Sequence, residues 1–158
     1  MENKDAIVKE TRIAELRLDN DLKQKDIAII LNVKENNYSK WERGVTDIPL
    51  NKSNELCNYY NCSLDYLFGL SNINDVLNIN KDIDLELLSQ RLLELRKEHN
   101  YTQEKISKDV GFHQRTYAHY EDGSRIPTTF KVFYIAVYYN VSFDYLVGKS
   151  NNKIIKNF

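Results

Sequence analysis

Helix breakers are scarce in this chain of 158 residues: it holds two prolines and five glycines. Both residue types interrupt helices and mark turns, so their scarcity fits a mostly helical protein. Cysteine is nearly absent as well. Cys57 and Cys62 are the only two, too few for the disulfide framework of a small secreted domain. They read as ordinary part-buried thiols in a reduced, cytoplasmic setting. The three histidines, His99, His113 and His119, lie far from both, so no metal-ligand spacing appears and no cofactor is expected. No run of 18 apolar residues is present, which excludes a helical membrane span. The opening segment, MENKDAIVKE, is charged and lacks the apolar stretch of a secretory signal. Net charge is −1, so no overall basic field announces a nucleic-acid partner. Any cationic surface has to be local.

What the chain does have is repetition. YYNCSLDYLFGLSN at 59–72 returns as YYNVSFDYLVGKSN at 138–151. Slid along itself by that offset, the chain keeps matching. Arg12, Glu15, Leu16 and Arg17 meet Arg91, Glu94, Leu95 and Arg96; Gln24 and Ile27 meet Gln103 and Ile106; Tyr38, Glu42 and Gly44 meet Tyr117, Glu121 and Gly123. Only Pro49 and Pro127 fall one residue out of register. A repeat this long is a domain rather than a solenoid turn. The expected organisation is a first domain over 1–72, a linker over 73–84, a second domain over 85–149 and a tail over 150–158. Domains of this size bury only about 60% of their unfolded surface. Eleven Tyr, six Phe and one Trp supply large apolar bodies for such cores.

Each copy reads as five short helices. TRIAELRLDN and SQRLLELRKEHN set Ile13, Leu16 and Leu18, or Leu92, Leu93 and Leu95, among charges, the spacing of a surface helix with one apolar stripe. KQKDIAIILN and TQEKISKDVG follow. Thr102 is a good N-cap and Lys23 is not, so the second copy's helix should start more firmly. Asn32 and Gly111 are the residue types most at ease in a left-handed conformation, and a tight reversal is expected there. Tyr38 with Trp41, and Tyr117 with Tyr120, should face inward from a third helix closed by Gly44 or Gly123. Ser63 and Ser142 suit the N-cap of a short fifth helix, with Asp65 and Asp144 in its first turn, where the helix dipole favours negative charge. Ile73, Val76, Leu77 and Ile79 between the copies could form a docked helical turn. KIIKNF, at the end, reads as a loose or weakly docked tail.

A short helix, a tight turn and a second short helix make a helix-turn-helix. LKQKDIAIILNVKENNYSKWERG and YTQEKISKDVGFHQRTYAHYEDG resemble the phage repressor/Cro-like, XRE-type helix-turn-helix family: Gln opening helix 2, an aliphatic residue three later, the turn residue, then W/Y-E-x-G closing helix 3. The resemblance covers residues 12–70 and 91–149. It implies an all-α fold of two tandem five-helix domains like the λ repressor. It also implies that Arg17 and Arg96 form structural ion pairs with Glu42 and Glu121. Gln24 and Gln103 would approach phosphates beside a helix N-terminus, with Lys34, Arg43 and His113 as further phosphate contacts. Glu35, Asn36, Asn37 and Lys40, and in copy two Gln114, Arg115, Thr116 and His119, would be the base readers. Asn and Gln can bond adenine, Arg guanine, and Thr a thymine methyl. A plain solvated face would carry the same residue types. Asp122, where copy one has Arg43, should weaken backbone contact by copy two.

The implied function is a sequence-specific transcription regulator of the repressor type, bound to a double-stranded DNA operator, with a homodimer as one possible form. The alternative is a protein-interaction module, antitoxin-like or anti-repressor, in which one or both copies serve dimerisation or partner binding. No catalytic triad, metal cluster or phosphate-cradling glycine loop is visible, so an enzyme is not expected. No small-molecule ligand is evident.

Overall fold

A computed structural model describes residues 11–157; the charged MENKDAIVKE opening and Phe158 lie outside the described residues. All regular elements of the described chain are helices, without strands. Copy one comprises α1 (Ile13–Asp19), α2 (Gln24–Ile30), α3 (Glu35–Glu42), α4 (Leu50–Tyr60) and α5 (Leu64–Leu67). Copy two comprises α6 (Leu85–Glu98), α7 (Gln103–Val110), α8 (Gln114–Glu121), α9 (Thr129–Tyr139) and α10 (Phe143–Leu146). The largest difference is α6, which begins well before the position equivalent to the start of α1. Asp84 caps it by accepting the Leu87 N–H at 2.9 Å.

The reversals follow from backbone chemistry. Asn32 adopts φ 52° and Gly111 φ 76°. One residue later, the Val33 and Phe112 N–H groups donate back to Ala28 and Ser107 at 2.9 and 2.7 Å, which satisfies carbonyls at the ends of α2 and α7. The Thr102 hydroxyl accepts the Lys105 N–H at 3.1 Å. Lys23 has no acceptor to offer. At α2 the capping runs the other way, the Asp26 carboxylate accepting the Lys23 N–H at 2.8 Å.

Ile13, Ile27, Tyr38, Trp41 and Leu67 are buried in copy one, and Leu92, Ile106, Tyr117, Tyr120 and Leu146 in copy two. The two cores are continuous. Phe68 packs on Phe143 and Phe130 with centroids 5.6 and 6.0 Å away. Around that contact α4 and α5 meet α9 and α10. Ser53 Oγ and Thr129 Oγ1 are 2.7 Å apart and buried. The Lys149 ammonium donates to Asn54 Oδ1 at 2.6 Å, and the Phe130 N–H to Asp47 Oδ1 at 3.1 Å.

Several expectations need correcting. Leu18 is 61% exposed and forms no part of the apolar stripe. Cys57 and Cys62 are fully rather than partly buried. The segment between the copies forms no helical turn. It is an irregular stretch of turns and bends, with the Asn80 and Asp84 N–H groups donating to Lys149 and Val147 carbonyls at 2.8 and 2.7 Å. Of the two readings of the tail, loose or weakly docked, the docked one holds. The Lys153 carbonyl accepts the Ser142 N–H at 3.0 Å, Lys156 pairs with Asp75 at 2.5 Å, and the Ser71 hydroxyl donates to the Lys156 carbonyl.

Candidate nucleic-acid interface

The same buried framework holds the helix-turn-helix in both copies. The Arg17 guanidinium donates through Nε and Nη2 to both Glu42 oxygens at 2.9 and 2.7 Å. Arg96 grips Glu121 in the same way at 2.6 and 3.0 Å. The remaining guanidinium nitrogen reaches the Leu22 carbonyl at 2.8 Å, or that of Tyr101 at 3.0 Å. Such bidentate geometry satisfies the lone pairs that burial would strand. Burial pushes the Glu42 carboxyl up, but hydrogen bonds led by Arg17 outweigh it and hold the group below its ordinary range. The carboxylate hydrogen bonds raise Arg17 and Arg96.

Gln24 and Gln103 join this framework. Their amide nitrogens donate to Glu42 at 3.3 Å and to Glu121 at 2.9 Å. Each glutamine therefore ties the first residue of the second helix to the last residue of the third. One amide hydrogen remains for an outside acceptor, beside the free N–H groups of the helix start.

The outward faces of α3 and α8 come next. Glu35, Asn36 and Asn37 are exposed and Lys40 half-buried on α3; Lys34 and Arg43 flank it, both exposed. Arg43 Nε donates to the Ser39 carbonyl at 3.3 Å, which lays the side chain along the helix end. On α8, Gln114 and Arg115 are exposed, Thr116 and His119 are half-buried, and His113 is exposed at the helix start. Each set lies on one short helix. His119 is already engaged, with Nδ1 2.8 Å from the Ser124 hydroxyl and 3.6 Å from Asp122. Hydrogen bonds from Ser124 hold the Asp122 carboxyl below its ordinary range, so this position is a fixed anion.

Sequence reasoning missed three features. Arg125, exposed in the loop after α8, puts a cation near Asp122. Arg12 and Arg91 stack on Tyr66 and Tyr145, 4.3 and 3.9 Å from the ring centroids. They also donate to the Ser71 and Ser150 carbonyls at 3.2 and 2.9 Å. Their constant offset from the Y-L-x-G-x-S-N stretch was the available signal. Asp65 and Asp144 do not serve their own helix starts; each reaches across to the other copy.

A helix-turn-helix family model matches residues 13–67 and 92–146. An uncharacterized HTH-type transcriptional regulator, YobD of Bacillus subtilis (strain 168), is 36% identical over 63 residues, 40% of this chain and 56% of that protein. The chain thus spans little more than half the length of this relative. No solved structure matches.

Proposed function

The chain belongs to the helix-turn-helix family, and on that premise we propose that it is a sequence-specific double-stranded DNA-binding transcriptional regulator, a repressor that acts by occupying its operator. It has no catalytic role and works in the cytoplasm; no described helix is long and apolar enough to cross a membrane. Helix α3, α8 or both enter the major groove. Glu35, Asn36, Asn37, Lys40, Gln114, Arg115, Thr116 and His119 meet bases, and Gln24, Lys34, Arg43, Gln103 and His113 meet phosphates. The observation that carries this reading is a division of surfaces. The copies join through α4, α5, α9 and α10, which leaves the polar faces of α3 and α8 to solvent.

Two joined units with different reading faces form an internal pair, so a single chain recognises two unlike half-sites. Selection of binding sites from random duplex tests this. Two unlike half-sites are expected; one perfect palindrome would point to a homodimer of chains reading through one unit each. Phosphate contacts also make affinity fall steeply with salt, log K against log salt having a slope near −0.9 per phosphate neutralised.

One observation favours a second reading, a protein-interaction module. Copy one exposes Leu18, Ile29 and Ile30 at 61%, 76% and 41%, where copy two carries Lys97, Lys108 and Asp109. An absence of binding to any duplex at about 50 mM salt, where phosphate-driven affinity is strong, would favour it.

A further inference from the structure

The two copies meet at a reciprocal exchange of carboxylates. Asp144, in the first turn of α10, accepts the Leu64 and Asp65 N–H groups at the start of α5, at 3.0 and 2.9 Å. Asp65, in the first turn of α5, accepts the Phe143 N–H at the start of α10 and the Ser142 hydroxyl, both at 2.6 Å. Each copy thus satisfies helix-start donors of the other, groups with no partner in their own helix. Asp65 is 9% exposed and Asp144 1%. Both line a cavity of about 90 Å³ between the copies, together with Ser63 and Ser142.

We propose that Asp65 and Asp144 form a positioning pair that shares one proton, and that this proton sets how firmly the two helix-turn-helix units are held against each other. The charge balance of the seam supports it. The Lys149 ammonium, 1% exposed, is the buried cation facing the pair from the segment after α10. One shared proton leaves a single negative charge against that single positive one. Full ionisation would leave two negative charges against one in a site shielded from water, which is costly. Hydrogen bonds from the Ser142 hydroxyl and the helix-start N–H groups favour the ionised forms, but burial outweighs them at both aspartates. The Cys57 thiol, facing from α4, is pushed up by burial and stays neutral. Lys156 and Asp75, at the cavity rim, are paired with each other at 2.5 Å. Burial, followed by the neighbouring Asp144 charge, pushes the Asp65 carboxyl up to about 7. Burial raises Asp144 as well.

The direction of the effect follows. Aspartates exposed by opening of the seam release their protons near pH ~4, whereas the closed pair keeps one to about 7. The seam is therefore firmest in acid and loosens as pH rises towards 7. Its opening equilibrium grows by at most about tenfold per pH unit, then levels off. Amide hydrogen exchange at Leu64, Asp65 and Phe143 in the full chain, corrected for the intrinsic pH dependence of exchange, tests this. Protection at these amides should fall between about pH 5 and pH 7 and should be nearly flat in Asp65→Asn, which carries no titrating proton at that position. Flat protection in the native chain, or an unchanged fall in Asp65→Asn, would overturn the proposal. A second measurement stands even if the variant folds poorly. Infrared spectra of the native chain near pH ~6 should contain a protonated-carboxyl C=O stretch that disappears as pH rises through about 7, and its absence would equally reject a shared proton.

Discussion

The two copies agree where side chains hold the fold and part company where they face water. Arg17–Glu42–Gln24 and Arg96–Glu121–Gln103 superpose as one hydrogen-bonding scheme. Arg12 on Tyr66 and Arg91 on Tyr145 are another matched pair. The outward positions differ in charge. Lys34, Lys40 and Arg43 of copy one face the registers of His113, His119 and Asp122. At these three registers copy one carries three cations and copy two an anion beside two histidines, while Glu35 of copy one and Arg115 and Arg125 of copy two place further unlike charges on the two faces. A duplicated framework carries two surfaces of different chemistry, which suits recognition of two unlike sequences better than strengthened recognition of one.

The comparison breaks most sharply at the buried ion pairs. Glu42→Ala and Glu121→Ala each strand a largely buried guanidinium, 12% exposed at Arg17 and 18% at Arg96, and should cost about 3 kcal/mol. Because the copies share a core, both variants should shift the same single transition in urea; two separate transitions would mean that the copies unfold independently. The pH signature has a definite sign. Glu42 lies below its ordinary range, so its contribution is complete at neutral pH and is lost as pH falls into the carboxylate range, opposite to the aspartate seam.

Next in size is a glycine pair. Gly69 and Gly148 have φ 76° and 80°, so alanine at either costs about 1–2 kcal/mol in left-handed strain. At Gly148 an added Cβ would also lie 2.7 Å from Asp84 Cβ, which should raise the loss by a further ~1–3 kcal/mol. Thermal unfolding of the two variants should rank Gly148→Ala well below Gly69→Ala.

Two smaller effects sharpen the contrast. Arg115→Ala should relax discrimination at one half-site by about 1–3 kcal/mol in binding-site selection, whereas Arg43→Ala should weaken binding to all sequences alike and flatten the salt slope by about one. Equal loss for all sequences from Arg115→Ala would make it a phosphate contact. Smallest of all, Thr102→Ala should cost about 1 kcal/mol through the lost cap, while Lys23→Thr should gain about as much by supplying an acceptor for the Asp26 N–H, the Asp26 carboxylate already accepting the residue-23 N–H. Chemical denaturation midpoints measure both.

The amino-acid sequence by itself determined the duplicated helical plan. Helix periodicity, caps and left-handed turns are local properties, readable from a few adjacent residues such as Asn32, Gly111, Ser63 and Ser142. The constant offset between the copies made the long-range partners of one copy visible as those of the other. The tertiary structure alone decided how the copies meet. Nothing near Asp65 in the chain distinguishes a carboxylate that serves its own helix from one that serves another, because both need only a short acidic side chain in a first turn. Docking of the tail, burial of Lys149 and the course of 73–84 depend likewise on surfaces that exist only once the two cores have joined. Their energies come from excluding water between segments distant in sequence, and no local pattern records that.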